Sequence, residues 1–261
     1  MESGNKTEIS GKTMEKIPVT TSNIYSDRKS LLIVVQFTFG VLFLIITNYW
    51  YFNFIFKNWD PFWILFVIFL PLNIFGFIYE FVFVIAVFSA LILKILKKIH
   101  PINGEEGIFS IDGEEFKFYK YRYWISYFAV WLARAVPLPW IDFVIMKMLG
   151  SKIGKKVCLY DSWMDIELIE IEDNVMTSVN TVIMSHAVFQ DKFIQMKTIL
   201  KKNSITGGLS IVAPGTFLEE GAILGACCST FIGQRLEGNH YHIGNPALKK
   251  IPITKPKDKK K

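Results

Sequence analysis

Apolar and polar positions along the chain fall into distinct regimes. Residues 1–27 are polar, with Ser, Thr, Lys and Glu, and no apolar stretch lies near Met1. They read as a disordered cytoplasmic tail rather than a cleaved signal peptide. Two apolar blocks follow, from Leu31 to about Phe56 and from Phe62 to about Leu93. As helices they would be roughly 39 Å and 48 Å long at about 1.5 Å per residue. Either exceeds a hydrocarbon core of about 30 Å. The segment KNWDP (Lys57 to Pro61) leaves room only for a tight turn, and Pro71 marks a bend in the second block. The pattern predicts a transmembrane helical hairpin over 28–99. Arg28 and Lys29 flank its entrance and Lys94, Lys97 and Lys98 its exit. The positive-inside rule then puts both termini and everything after the hairpin in the cytoplasm, as a multi-pass membrane protein. Glu80 stands inside the second block, where a carboxylate serves either a function or a helix–helix contact.

Over 100–150 the pattern changes. Trp124, Trp131 and Trp140 stand among Tyr119, Tyr121, Tyr123 and Tyr127, with Lys117, Lys120, Arg122 and Arg134 interleaved. Directly after a membrane exit this predicts a juxtamembrane amphipathic segment rather than a nucleic-acid platform. Pro137 and Pro139 break it, and IDFVIMKMLG reads as a short helix closed by Gly150.

From Ile153 the period becomes six. The hexads IGKKVC, LYDSWM, DIELIE, IEDNVM, TSVNTV and IMSHAV run up to FQDKFIQMKT, a ten-residue insertion from Phe189 to Thr198. ILKKNS, ITGGLS, IVAPGT, FLEEGA, ILGACC and STFIGQ follow. Nine of the twelve first positions are Ile, Leu or Phe, which excludes a helix of period 3.6. One large apolar residue in six is expected to point inward, joined by a smaller one at the fifth position: Val157, Val175, Ala187, Gly215, Gly221 or Cys227. DIELIE, TSVNTV and STFIGQ lack the apolar first residue and are expected to be irregular.

IGKKVC, IEDNVM and IVAPGT resemble the repeats of the hexapeptide-repeat acyltransferases, and GNPALKKI (Gly244 to Ile251) is similar to the segment that follows their coils. The lead-in ending in LGSKIG is similar to a membrane-linked branch represented by the C-terminal region of ε-poly-lysine synthetase. The resemblance implies a left-handed parallel β-helix over 151–252, followed by a basic tail over 253–261. Three hexads per coil would make about four coils. It also implies a homotrimer, acetyl-CoA or another acyl-CoA as donor, and a small-molecule or lipid-linked acceptor bearing a hydroxyl or amine. Membrane lipids are the other expected partner, and nucleic acid is not one.

Within that frame His186 becomes the candidate general base, since the resemblance places such a histidine beside a protruding loop. A neutral imidazole near pH 7 can take a proton from an attacking hydroxyl or amine. A core histidine and a metal ligand are its alternatives. With Ile183 and Ala187 in the inward slots, His186 is expected to point outward, and Asp191 and Asn180 are the candidates to orient it. Gly207 or Gly208 would supply an oxyanion-binding N–H. Gly221, Gly225 and Ala226 would leave room for a pantetheine arm, and Lys249, with Lys250, would meet the coenzyme phosphate. The other histidines, His100, His240 and His242, do not show the ligand spacing of the metal-binding carbonic anhydrases that share the repeat, so no metal is expected. A non-catalytic trimeric membrane scaffold and an amide-forming condensing protein with a carrier-bound donor remain open.

Composition adds little. The hydrophobic share is 51%, concentrated between Leu31 and Leu93, and much of the net charge of +6 sits after Lys249. Three cysteines, Cys158, Cys227 and Cys228, have no CxxC spacing and predict reduced thiols.

Overall fold

The computed structural model of the protein describes residues 31–101, 106–138 and 140–253. The expected N-terminal tail with Arg28 and Lys29, Pro139, and the basic tail past Ile253 lie outside the described residues. The chain divides into two compact units. One takes in residues 106–117 and 151–253, the other 31–101 and 118–150.

The helical unit opens with α1 (Leu31–Lys57), α2 (Trp59–Ile68) and α3 (Leu70–Ile99). The break between α2 and α3 falls at Phe69, with Pro71 in the first turn of α3, where a missing N–H costs nothing. Two of these helices, α1 and α3, are long and apolar enough to cross a membrane. They touch closely at Gly40, where an added Cβ would lie 2.5 Å from the Phe81 ring. Gln36, 1% exposed, donates from Nε2 to Ser89 Oγ (2.7 Å) on α3 and to the Ile125 carbonyl (3.0 Å). Ile125 belongs to α4 (Glu114–Ala135), so this part of α4 packs on the two long helices. Glu80 is held in the same way: Thr47 Oγ1 donates to its Oε1 (2.6 Å) and Asn48 Nδ2 to its Oε2 (2.9 Å). The short helix α5 (Ile141–Met148) ends on Leu149, and Gly150 at φ +107° donates back to the Lys147 carbonyl, as its sequence predicts.

The other unit is a parallel β-helix with three faces, the architecture the six-residue period requires. Its first face stacks β2 (Lys152–Ile153), β5 (Ile169–Ile171), β10 (Thr198–Leu200), β13 (Phe217–Leu218) and β15 (Arg235–Leu236). The second stacks β3 (Cys158–Leu159), β6 (Met176–Thr177), β11 (Ile205–Thr206), β14 (Ile223–Leu224) and β16 (His240–Ile243). There β17 (Lys249–Pro252) folds back antiparallel on β16. The third stacks β4 (Trp163–Met164), β7 (Val182–Ile183) and β12 (Ile211–Val212), continued by a bridge from Ile211 to Ser229.

The register corrects the expected one in two places. After the insertion the inward residues are Leu200, Thr206, Val212, Leu218 and Leu224, all 0% exposed. Ile199, Ile205, Ile211, Phe217 and Ile223 face outward and are half-buried. Leu200 pairs with Ile171 and Thr206 with Thr177, so the insertion is one residue longer than the pattern suggested. The error has a physical cause: both residues of most two-residue strands are apolar, so the period of six is present on either face. The second correction is in the first coil. Met164, not Asp165, pairs with Ile183, because an inward carboxylate would be costly. TSVNTV and STFIGQ are regular. Thr177 points inward and its hydroxyl bonds that of Ser162, and Ser229 continues the third face.

Tight corners join the faces. Asn174, Asn180, Asn203, Leu209, Gly215, Gly221, Cys227, Gly233 and Asn239 all have φ between 53° and 75°, six residues apart on either side of the insertion. Gly215, Gly221 and Cys227 therefore turn corners rather than fill the core. The inward small residues are their neighbours Thr216, Ala222 and Cys228.

Candidate active site

The insertion is a hairpin. β8 (His186–Phe189) and β9 (Lys192–Gln195) pair antiparallel, and β1 (Gly107–Ser110) adds to β9 as a third strand. This sheet leaves the prism at the corner between the third and first faces. One side of the ribbon carries Ala187 and Ile194, which pack on Ala213 and Ile232 of that corner. The other carries His186, Val188, Phe193 and Gln195. Phe193 is fully buried, its ring centroid 6.3 Å from His186 and 5.0 Å from Phe116.

His186 does not point into solvent; it is 1% exposed. Its Nδ1 lies 2.6 Å from Asp165 Oδ2. The same oxygen accepts from the Ser185 backbone N–H (2.7 Å) and hydroxyl (3.1 Å). Three contacts on one carboxylate oxygen fix the ring plane. Asp165 reaches the imidazole because the first coil spends five residues from Leu159 to Met164 and seven from Met164 to Ile171, which turns Asp165 onto the corner. Asp165 was not among the candidates the hexad pattern offered. The available signal was the carboxylate in a slot reserved for an apolar side chain.

Neither expected orienting residue touches His186. Asp191 is at the tip of the hairpin, where its carbonyl accepts from Ile111 N–H (3.0 Å). Asn180 turns the corner between the second and third faces at φ 53°. Gly207, Gly208, Gly225 and Ala226 stack at that same corner, across the third face from His186. The Gly207 N–H is engaged by the Leu224 carbonyl (2.8 Å), so it is not an oxyanion donor. An added Cβ on Gly207 would lie 2.4 Å from Ala226 N, so this glycine is required by coil stacking. Gly221 is at the remaining corner, against Asn239. Lys249 is exposed on β17, and its neighbour Lys250 pairs with Glu237. The remaining histidines lie away from His186. His242 Nε2 is 2.9 Å from the Glu237 carbonyl and His240 Nδ1 2.8 Å from the Gly238 carbonyl, while His100 stacks on Phe118.

Electrostatics concentrate on the first face. Lys152 bonds Glu170 (2.6 Å) and Lys201 bonds Glu172 (2.6 Å). These hydrogen bonds hold both carboxyls below their ordinary value of 4.5.

No protein-family model matches the sequence, and no curated protein does. Several solved structures are similar in part. A maltose O-acetyltransferase from Clostridium difficile 630 superposes with a TM-score of 0.46 and 16% identity, covering 58% of this chain and 94% of that one. A galactoside acetyltransferase in complex with coenzyme A gives 0.41 and 13%, covering 57% and 88%. An N-acyltransferase from Bacillus cereus gives 0.33 and 22%, covering 38% and 60%. Likenesses this distant assign no role to any residue of this chain.

Proposed function

We propose that the chain is a membrane-anchored acyltransferase that moves an acyl group, acetyl first among them, from acyl-CoA to a hydroxyl or amine. His186 is the general base and Asp165 its positioning residue. The observation that carries this reading is the Nδ1–Asp165 contact of 2.6 Å at the root of a hairpin that leaves the coil. A carboxylate on Nδ1 favours the tautomer with its proton on that nitrogen, so that Nε2 is the one to take a proton from a nucleophile. In this reading the hairpin parts from the corner to admit substrate. The helices α1 and α3 supply the anchor and the acceptor is membrane-associated. A homotrimer is part of the proposal. Its support is the outward column Cys158, Met176, Ile205, Ile223, Tyr241 and Ile251, apolar on every strand of the second face. At about 4.8 Å per strand it runs roughly 24 Å, a stripe that another copy would cover.

One observation favours a second reading. His186 is 1% exposed, which suits a pin that fastens the hairpin of a non-catalytic scaffold. Transfer of label from radiolabelled acetyl-CoA into a membrane extract separates the two. The enzyme loses at least a hundredfold in rate on His186→Gln, assayed below the variant's lowered melting temperature. A scaffold moves no label in either form. Label moved equally by both forms removes His186 as the base. An aminoacyl donor from a carrier protein predicts transfer that needs no coenzyme A.

A further inference from the structure

Beside the base stands a second polar side chain with no assigned task. Gln195 is the cross-strand mate of His186. The neighbouring pair, Ser185 and Met196, is joined by a hydrogen bond from Met196 N–H to the Ser185 carbonyl (2.8 Å). In an antiparallel ladder the next pair along is therefore the non-hydrogen-bonded one, the kind whose side chains stand closest, on one side of the ribbon. Gln195 is 6% exposed, and among the described residues its Oε1 has no hydrogen-bond partner. A buried amide oxygen left so is costly. Its partner is then to be sought in what enters the site.

Resting on the acyl-transfer reading above, we infer that Gln195 accepts a hydrogen bond from the acyl acceptor, and that the acceptor is a primary amine. A hydroxyl has one proton, which the base takes, and nothing remains for Gln195. A neutral amine has two. One N–H faces His186 Nε2, the other faces Gln195 Oε1, and the lone pair is left to attack the thioester. The C–N bond forms and the C–S bond breaks. His186 takes the proton from nitrogen, the coenzyme leaves as thiolate and is protonated to the thiol, and the product is an amide. Gln195 sets the direction of the lone pair and selects nitrogen over oxygen.

The test uses the full-length protein, radiolabelled acetyl-CoA and a detergent-solubilised membrane extract, with the product treated with alkaline hydroxylamine, which cleaves esters and spares amides. The expected result is hydroxylamine-stable label with wild type, and at least tenfold less with Gln195→Met at an unchanged affinity for coenzyme A. Gln195→Glu, which keeps an acceptor oxygen, retains transfer. Hydroxylamine-labile label overturns the amine. Equal transfer by Gln195→Met overturns the role of Gln195 and leaves the transferase standing. Should Gln195→Met fail to fold, Gln195→Glu decides: transfer kept supports the contact and transfer lost overturns it. No label moved by wild type ends the acyl-transfer reading, and this one with it.

Discussion

Asp165 and His186 are separated by 21 positions in sequence and by 2.6 Å in space. At the residue scale the histidine was legible and its partner was not. A histidine beside an insertion in a repeat is a local signal. A carboxylate arriving from the previous coil is a matter of register, and the register was uncertain at that hexad. Asp191 looked like the partner because it is near in sequence, but a hairpin tip carries its residues away from the root. Asp165→Asn tests the pair. The amide's carbonyl oxygen can stand in for Oδ2 in all three contacts, but it carries no charge, so these bonds lose their charge assistance. A fall of at least tenfold in transfer is expected, with stability reduced by about 1.5–3 kcal/mol, measured by urea midpoint. Unchanged transfer would show that Asp165 does not orient the base.

At the scale of the element the period of six was legible and its phase was not. Strands such as Ile205–Thr206 and Ile211–Val212 offer an apolar or hydroxyl-bearing residue to either side, so burial alone decides which points in. The corner positions hold the missing information, since a left-handed φ recurs every six residues from Leu168 to Asn180 and from Asn203 to Asn239. Two substitutions follow. Leu209 is 60% exposed at φ 57°, so Leu209→Gly gives up little burial and relieves roughly 1 kcal/mol of strain. An upward shift in melting temperature is the expected outcome. Gly207→Ala drives a Cβ into the backbone at Ala226 and is expected to destabilise by about 1–3 kcal/mol, whereas Gly208→Ala, with its nearest contact at 3.4 Å, is tolerated. The first face adds a pH dependence. The Lys152 hydrogen bond leads the causes that depress the carboxyl of Glu170, so its contribution is present above about 4.5 and lost as pH falls through the lower folded value. Lys152→Met should therefore cost at most about 1 kcal/mol near pH 7 and almost nothing near pH 2, read from urea midpoints at both.

At the scale of the molecule, hydropathy marked out the two long apolar helices, α1 and α3. Residues 106–117, expected beside the membrane, group with the β-helix, where β1 completes the hairpin sheet. That assignment depends on a strand pairing some eighty residues away and leaves no local trace. The two long helices present Ile46, Trp50, Leu72 and Phe83 outward, each at least 60% exposed. As spans of a bilayer they satisfy the only carboxylate within them through Thr47 and Asn48. The membrane assignment predicts that alkaline carbonate leaves the protein in the pelleted membranes and that detergent releases it. Protein freed by carbonate alone would overturn it.

The strand that turns back at the end of the coil has a consequence for how the molecule ends. A stack of parallel rungs has no intrinsic length, because its last rung offers the same bare backbone that the rung before it offered. Reversing the final strand puts β17 there in the opposite sense, with Lys249 and Lys250 on it. The coil thereby terminates itself chemically as well as geometrically. A chain cut before Lys249 would carry a template at that end, and growth into filaments, visible by light scattering, is the failure the fold-back prevents.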